Sequence, residues 1–192
     1  MSARFHRLPA MVSRFAEQER SSRRAQMSDE TKFQIFKRES QYVFGEEGVM
    51  TTDPTPVQKT GLEAMLEAGV IDGSVYTMVA NLPGFTLMHA WFKKDYPLPL
   101  HSHSADCLYY VVAGSARLGT VELGPGDSFF VPANTPYTYH AGPEGVEVLE
   151  YRHTLDIDFQ NYAKGQAFYD KALQTVIENR DYWRAVPKPS ER

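Results

Sequence analysis

Between Ser74 and His153 the chain is divided at short intervals by turn-forming residues, and few folds can accept that punctuation. Runs rich in β-branched and aromatic residues at Val75–Val79, Thr86–Phe92, Leu108–Val112, Ala116–Val121, Asp127–Val131, Tyr137–His140 and Val146–His153 read as strands. Leu82-Pro-Gly84, Gly114, Gly124-Pro-Gly126, Ala133-Asn-Thr-Pro136 and Gly142-Pro-Glu-Gly145 separate them as turns. Short strands in this rhythm point to a closed or double-sheet antiparallel architecture.

The flanks read differently. Residues 1–28 hold six Arg against two Glu (+4) with little periodicity, the composition of a disordered basic extension; the other residues, 14 basic and 22 acidic, carry −8. Residues 29–73 form an N-terminal arm. In it Phe33–Phe44 is expected to pack on the barrel, and Thr60-Gly-Leu-Glu63 has the capping-box form, with Leu62, Met65 and Leu66 as the apolar face and Gly69 as the stop of a short helix. Residues 74–155 are the barrel. Residues 156–192 return to helical spacing, with Phe168, Ala172, Leu173, Val176 and Ile177 before Tyr182 and Trp183, and the helix ends near Pro187. Its apolar stripe suits either the outer face of the barrel or a second subunit.

A formal charge of −4 gives no case for nucleic acid or an anionic membrane. One Cys cannot form an intramolecular disulfide, and no run of about 18 apolar residues is present, so a cytoplasmic location is the expectation.

The chemistry centres on Leu100-His-Ser-His103, just before the strand that begins near Cys107. On an extended backbone His101 and His103 point to one face, as two ligands of one ion need to. Downstream, Gly126, Pro132, Asn134 and Tyr137 fall in the spacing Gly-x5-Pro-x-Asn-x2-Tyr. The two segments together resemble the two motifs of the cupin superfamily: His101, His103 and Gly114 match the first, Gly126 and Pro132 the second. That resemblance implies a mainly β chain with one cupin-type antiparallel barrel or jelly roll, a divalent transition metal (Fe, Zn, Ni, Mn or Cu), a small-molecule ligand or substrate, and a homodimer.

The chain departs from the motifs. Cys107 stands where the family carries its Glu ligand, with Asp106 beside it; Tyr137 replaces the third His, and Asn134 a Gly, which Asn mimics by tolerating the left-handed conformation. Two His supply two donors, and a transition ion wants at least one more. Cys107, Asp106 and His140 are the candidates for the third. A Cys at a strand start is otherwise a small buried hydrophobe, Asp106 in strict alternation faces away from the His pair, and His140, three positions from Tyr137, faces the opposite side unless a bulge intervenes. Tyr137 is either a hydrogen-bond donor to a ligand or, with its pKa lowered by a cation, a catalytic acid or base. Tyr109, Tyr139 and Trp91 would line an aromatic cavity if they face inward.

Two function classes follow. One is a barrel that binds a small organic molecule at the reduced His101/His103 site. The other is a metal-dependent enzyme of dioxygenase, isomerase or lyase type using the same residues.

Overall fold

A computed structural model describes residues 33–44, 54–154 and 158–191. The reading of residues 1–28 as a basic extension lies outside them. By backbone proximity the chain divides into Met1–Ile35 and Phe36–Arg192, and the fold described below belongs to the second unit. Of the apolar run expected to pack on the barrel, Phe36 reaches solvent and Tyr42–Phe44 pairs as a strand with Tyr76–Met78.

The described residues form nine strands, β1 (Tyr42–Phe44), β2 (Ser74–Leu82), β3 (Phe85–Phe92), β4 (His101–Ser102), β5 (Cys107–Leu118), β6 (Val121–Leu123), β7 (Ser128–Val131), β8 (His140–Arg152) and β9 (Gln160–Asn161), and two α-helices, α1 (Pro56–Ala68) and α2 (Gln166–Ala185). The protein is mainly β and antiparallel. Seven strands form one sheet in the order β1-β2-β3-β8-β5-β6, with β7 also on β5, and β4 pairs with β9 in a second. A backbone bridge between His101 and Tyr137 adds the aromatic segment beside β4. Among the described strands the pairing does not run round a complete ring.

Two predicted turns lie inside strands. Gly114 is within β5 and Gly142–Gly145 within β8. Gly114 and Ala116 of β5 face Val146 and Ala141 of β8, so two steps on one strand span five on the other, and the surplus forms a bulge. Gly114 has φ +72°, and a Cβ there would stand 2.2 Å from the Gly145 carbonyl oxygen; the glycine serves a close backbone approach. The turn that does end β5 is at Gly119, φ +61°. Asn134 has φ +60°, the left-handed conformation expected of it.

The cap of α1 is Thr55, five residues before the predicted one. Thr55 accepts from the Gln58 N–H at 3.3 Å, and the Gln58 side chain accepts from the Thr55 N–H at 2.8 Å, with Pro56 in the first turn. Gly69 stops the helix in the left-handed conformation as expected, whereas Leu66 is exposed. Of the predicted stripe on α2, Ala172 and Val176 are buried, together with Tyr169 and Trp183, against Met65 and Val70; Ile177 and Tyr182 are exposed. The stripe therefore covers α1. A second core lies between the strands, where Ala90, Phe92, Val111, Ala116, Val146 and Val148 meet Tyr109 and Tyr139. Tyr96 packs against both cores, 5.2 Å from the Phe92 ring and 6.2 Å from that of Trp183.

Gln58 connects the helices to the site. Its Nε2 donates to the Asn161 carbonyl at 2.8 Å, and Asn161 is the β9 residue opposite His101.

Candidate functional site

Alternation along β5 and β8 decides what faces the interior between the strands. On β5, Cys107, Tyr109 and Val111 are buried while Leu108, Tyr110 and Val112 are exposed. On β8 the partners of these buried residues are Arg152, Glu150 and Val148. A carboxylate and a guanidinium are thereby carried into an apolar interior, 6% and 3% exposed.

The two histidines come in over this pair. Their ring centroids are 5.0 Å apart, and each commits Nδ1 to a main-chain carbonyl, His101 to Pro99 at 2.8 Å and His103 to Asp158 at 2.5 Å. Those acceptors fix Nδ1 as the N–H and Nε2 as the lone pair. Burial lowers the pKa of both rings, that of His101 to about 4, so both are neutral at ordinary pH. Phe159 stacks on His101 at 4.5 Å and 11°, and the Asp158 carboxylate accepts from the Ser104 N–H at 2.9 Å, which brings the 158–159 segment over the histidines.

Tyr137 stands 4.4 Å from the His101 ring, and its hydroxyl is hydrogen-bonded to that of Tyr109. Burial, and then the Glu150 charge, push the pKa of both phenols well above the ordinary value. A general base needs the reverse shift. The environment makes Tyr137 a protonated hydrogen-bonding group.

The other predicted residues are dispersed. Tyr139 is in the core between the strands, 5.6 Å from Phe92 and 5.7 Å from Phe129. Trp91 is buried but does not share that face: its neighbours in β3, Ala90 and Phe92, point inward, and Trp91 lies under Lys93 with Nζ 4.4 Å from its ring. Asp106, one residue before β5, accepts from the Ala133 N–H at 2.8 Å and pins the 132–136 turn. His140 is exposed at the start of β8 and lines a separate half-open groove of about 540 Å³ with Leu98, Thr138, Phe168 and Lys171. His103 and Cys107, with Glu150, have ligand atoms within 4.8 Å of one another.

These three donors are the test of a metal. Arg152 already engages two of them. Its Nη2 is 3.1 Å from His103 Nε2, its Nε donates to Glu150 Oε1 at 2.6 Å, and Nη2 also meets that oxygen. The lone pair and the carboxylate that a dication would require are bound to a monocation that would repel it. Burial pushes the third donor, the Cys107 thiol, up to about 12, so without a metal it is protonated. Burial also works against the Glu150 carboxylate, but the Arg152 guanidinium overcomes it and holds its pKa below the ordinary value. In this arrangement the donor set does not fit a bound metal.

Glu150, Arg152, Asp158 and Phe159 were not among the sequence-derived candidates. Val146-x-Val148-x-Glu150-x-Arg152 is the signal that would have found the first two, since period-two alternation puts both charges on the face of the valines.

No protein-family profile matches the chain, and no curated protein does. Among solved structures it is similar to an RmlC-like cupin from Shewanella frigidimarina at 26% identity, covering 42% of this chain and 76% of that one with a TM-score of 0.38. It is also similar to the polyketide cyclase RemF from Streptomyces resistomycificus, at 19% identity over 55% of this chain and 82% of that one, TM-score 0.47. A cupin superfamily protein from Desulfitobacterium hafniense matches at 19% identity over 42% and 76%, TM-score 0.38. Two of these three neighbours are described as cupins.

Proposed function

We propose that this protein binds a small organic molecule between its strands, over a polar floor made of His101, His103, Tyr109, Tyr137, Glu150 and Arg152. The observation that carries the reading is the convergence of two neutral imidazoles and a buried ion pair at one place in an aromatic interior. Burying two charges costs several kcal/mol each before their attraction is counted, and apolar residues of similar volume would stabilise the fold at least as well. A ligand that uses those groups gives the expense a purpose. Tyr137 and Tyr109 are recognition groups here, and Phe159 with Asp158 covers the site.

The metal-dependent alternative, an enzyme of dioxygenase, isomerase or lyase type, has one observation in its favour, the approach of His103, Cys107 and Glu150 to within 4.8 Å. It requires Arg152 to leave both of its partners.

The test is to purify the full chain without a metal-binding tag, denature it, and identify released small molecules by mass spectrometry beside a His101→Ala/His103→Ala variant. One organic species enriched in the wild type and missing from the folded variant is expected. No enriched species, or equal amounts in both, would contradict the proposal.

A further inference from the structure

We infer that Arg152 takes the place of a metal ion in this site and presents its free Nη1 to an anionic oxygen of the bound molecule, such as a carboxylate or enolate; this rests on the ligand-binding reading above. Arg152 bonds two of the three donors of the cluster, His103 and Glu150. Its Nε and Nη2 are satisfied by Glu150 and His103, whereas Nη1 is buried and has no hydrogen-bond partner among the described residues. Leaving a buried guanidinium donor unpaired costs more than leaving a neutral one, so the arrangement calls for an acceptor brought from outside.

The geometry also selects the kind of acceptor. Glu150 neutralises the guanidinium through one edge, and His103 accepts from it as a neutral ring. The remaining N–H favours an oxygen that carries negative charge, because charge-assisted hydrogen bonds are shorter and roughly twice as strong as neutral ones. An Arg suits this role because it stays protonated when buried, and the burial that would lower its pKa is outweighed here by the Glu150 charge. It offers a fixed positive charge and directed donors in place of a Lewis acid.

The proposal makes a prediction that a ligand-binding barrel in general does not. Removing the guanidinium should open His103, Cys107 and Glu150 to a real metal. Full-length wild type, Arg152→Lys and Arg152→Met are dialysed against zinc and then against buffer, and bound zinc is measured. Wild type and Arg152→Lys should retain less than about a tenth of an equivalent, and Arg152→Met close to one, lost again on adding His103→Ala. Wild-type protein that retains about one equivalent, lost in His103→Ala, would overturn the assignment.

Formate, the smallest carboxylate probe, should raise the melting temperature of wild type above that in equal sodium chloride and leave Arg152→Met unchanged. No response in wild type would overturn the anionic-oxygen half. If Arg152→Met does not fold, the wild-type zinc and formate readings still decide the matter. A neutral or cationic molecule released from the wild type would leave the ligand-binding reading standing and defeat this one; bound zinc with no organic species would defeat both.

Discussion

At His101, burial sets the chemistry. The ring is 3% exposed and its pKa is lowered to about 4, chiefly by loss of water, so the folded protein resists a proton that the unfolded chain accepts near pH 6.5. The unfolded state then binds more protons between those values, and stability rises with pH across the window. Acidification from pH 6.5 to 4 should therefore cost about 3 kcal/mol through this residue, with His103 adding to the slope in the same direction. Denaturant melts of wild type and His101→Gln over that range check it. A flatter slope in the variant is expected; identical slopes would mean that His101 is not buried neutral. His101 and His103 were legible as a pair because alternation in an extended segment needs only local sequence. Alternation along β8 is enough to put Arg152 on the face of the valines, but not to put it opposite Cys107, which depends on the register of β8 against β5.

At the scale of elements, close approaches govern where small residues stand. Gly61 is in the middle of α1, where an Ala would favour the helix by up to about 1 kcal/mol. A Cβ at Gly61 would come within 2.2 Å of the Tyr169 ring on α2, and overpacking of that kind is the larger effect. Gly61→Ala should destabilise the protein by about 2 kcal/mol, and Tyr169→Ala should recover part of the loss when added to it. Chemical denaturation of the single and double variants measures both, and a stabilised Gly61→Ala would show that the helices do not meet there. The sequence has no local mark of this contact, which joins residues more than a hundred positions apart. The same limit explains the strands. The antiparallel strand-and-turn rhythm follows from composition and turn residues, but Gly114 and Gly142–Gly145 look like turns on paper and are a bulge in a paired ladder, because tertiary pairing can absorb glycines inside a strand. Thr55 and Thr60 both offer a plausible cap, and the Pro at position 56 is the feature that favours the earlier start.

For the molecule as a whole, the strand layer and the helix pair are held together at one end through Tyr96 and Trp183. The Trp183 Nε1 donates to the Lys94 carbonyl at 2.8 Å, and Lys93 Nζ donates to the Trp183 carbonyl. At the other end Gln58 ties α1 to β9 and so to His101. The interior site is thus braced by both layers, and its chemistry is that of a buried cation with two neutral imidazoles and two phenols. The most direct measurement of that account is an experimental electron-density map of the protein as purified, with anomalous scattering data collected above and below the zinc and iron edges. The account predicts organic density within hydrogen-bonding distance of Arg152 Nη1 and no anomalous peak beside His103. An anomalous peak bound by His103, Cys107 and Glu150, with Arg152 turned away, would contradict it.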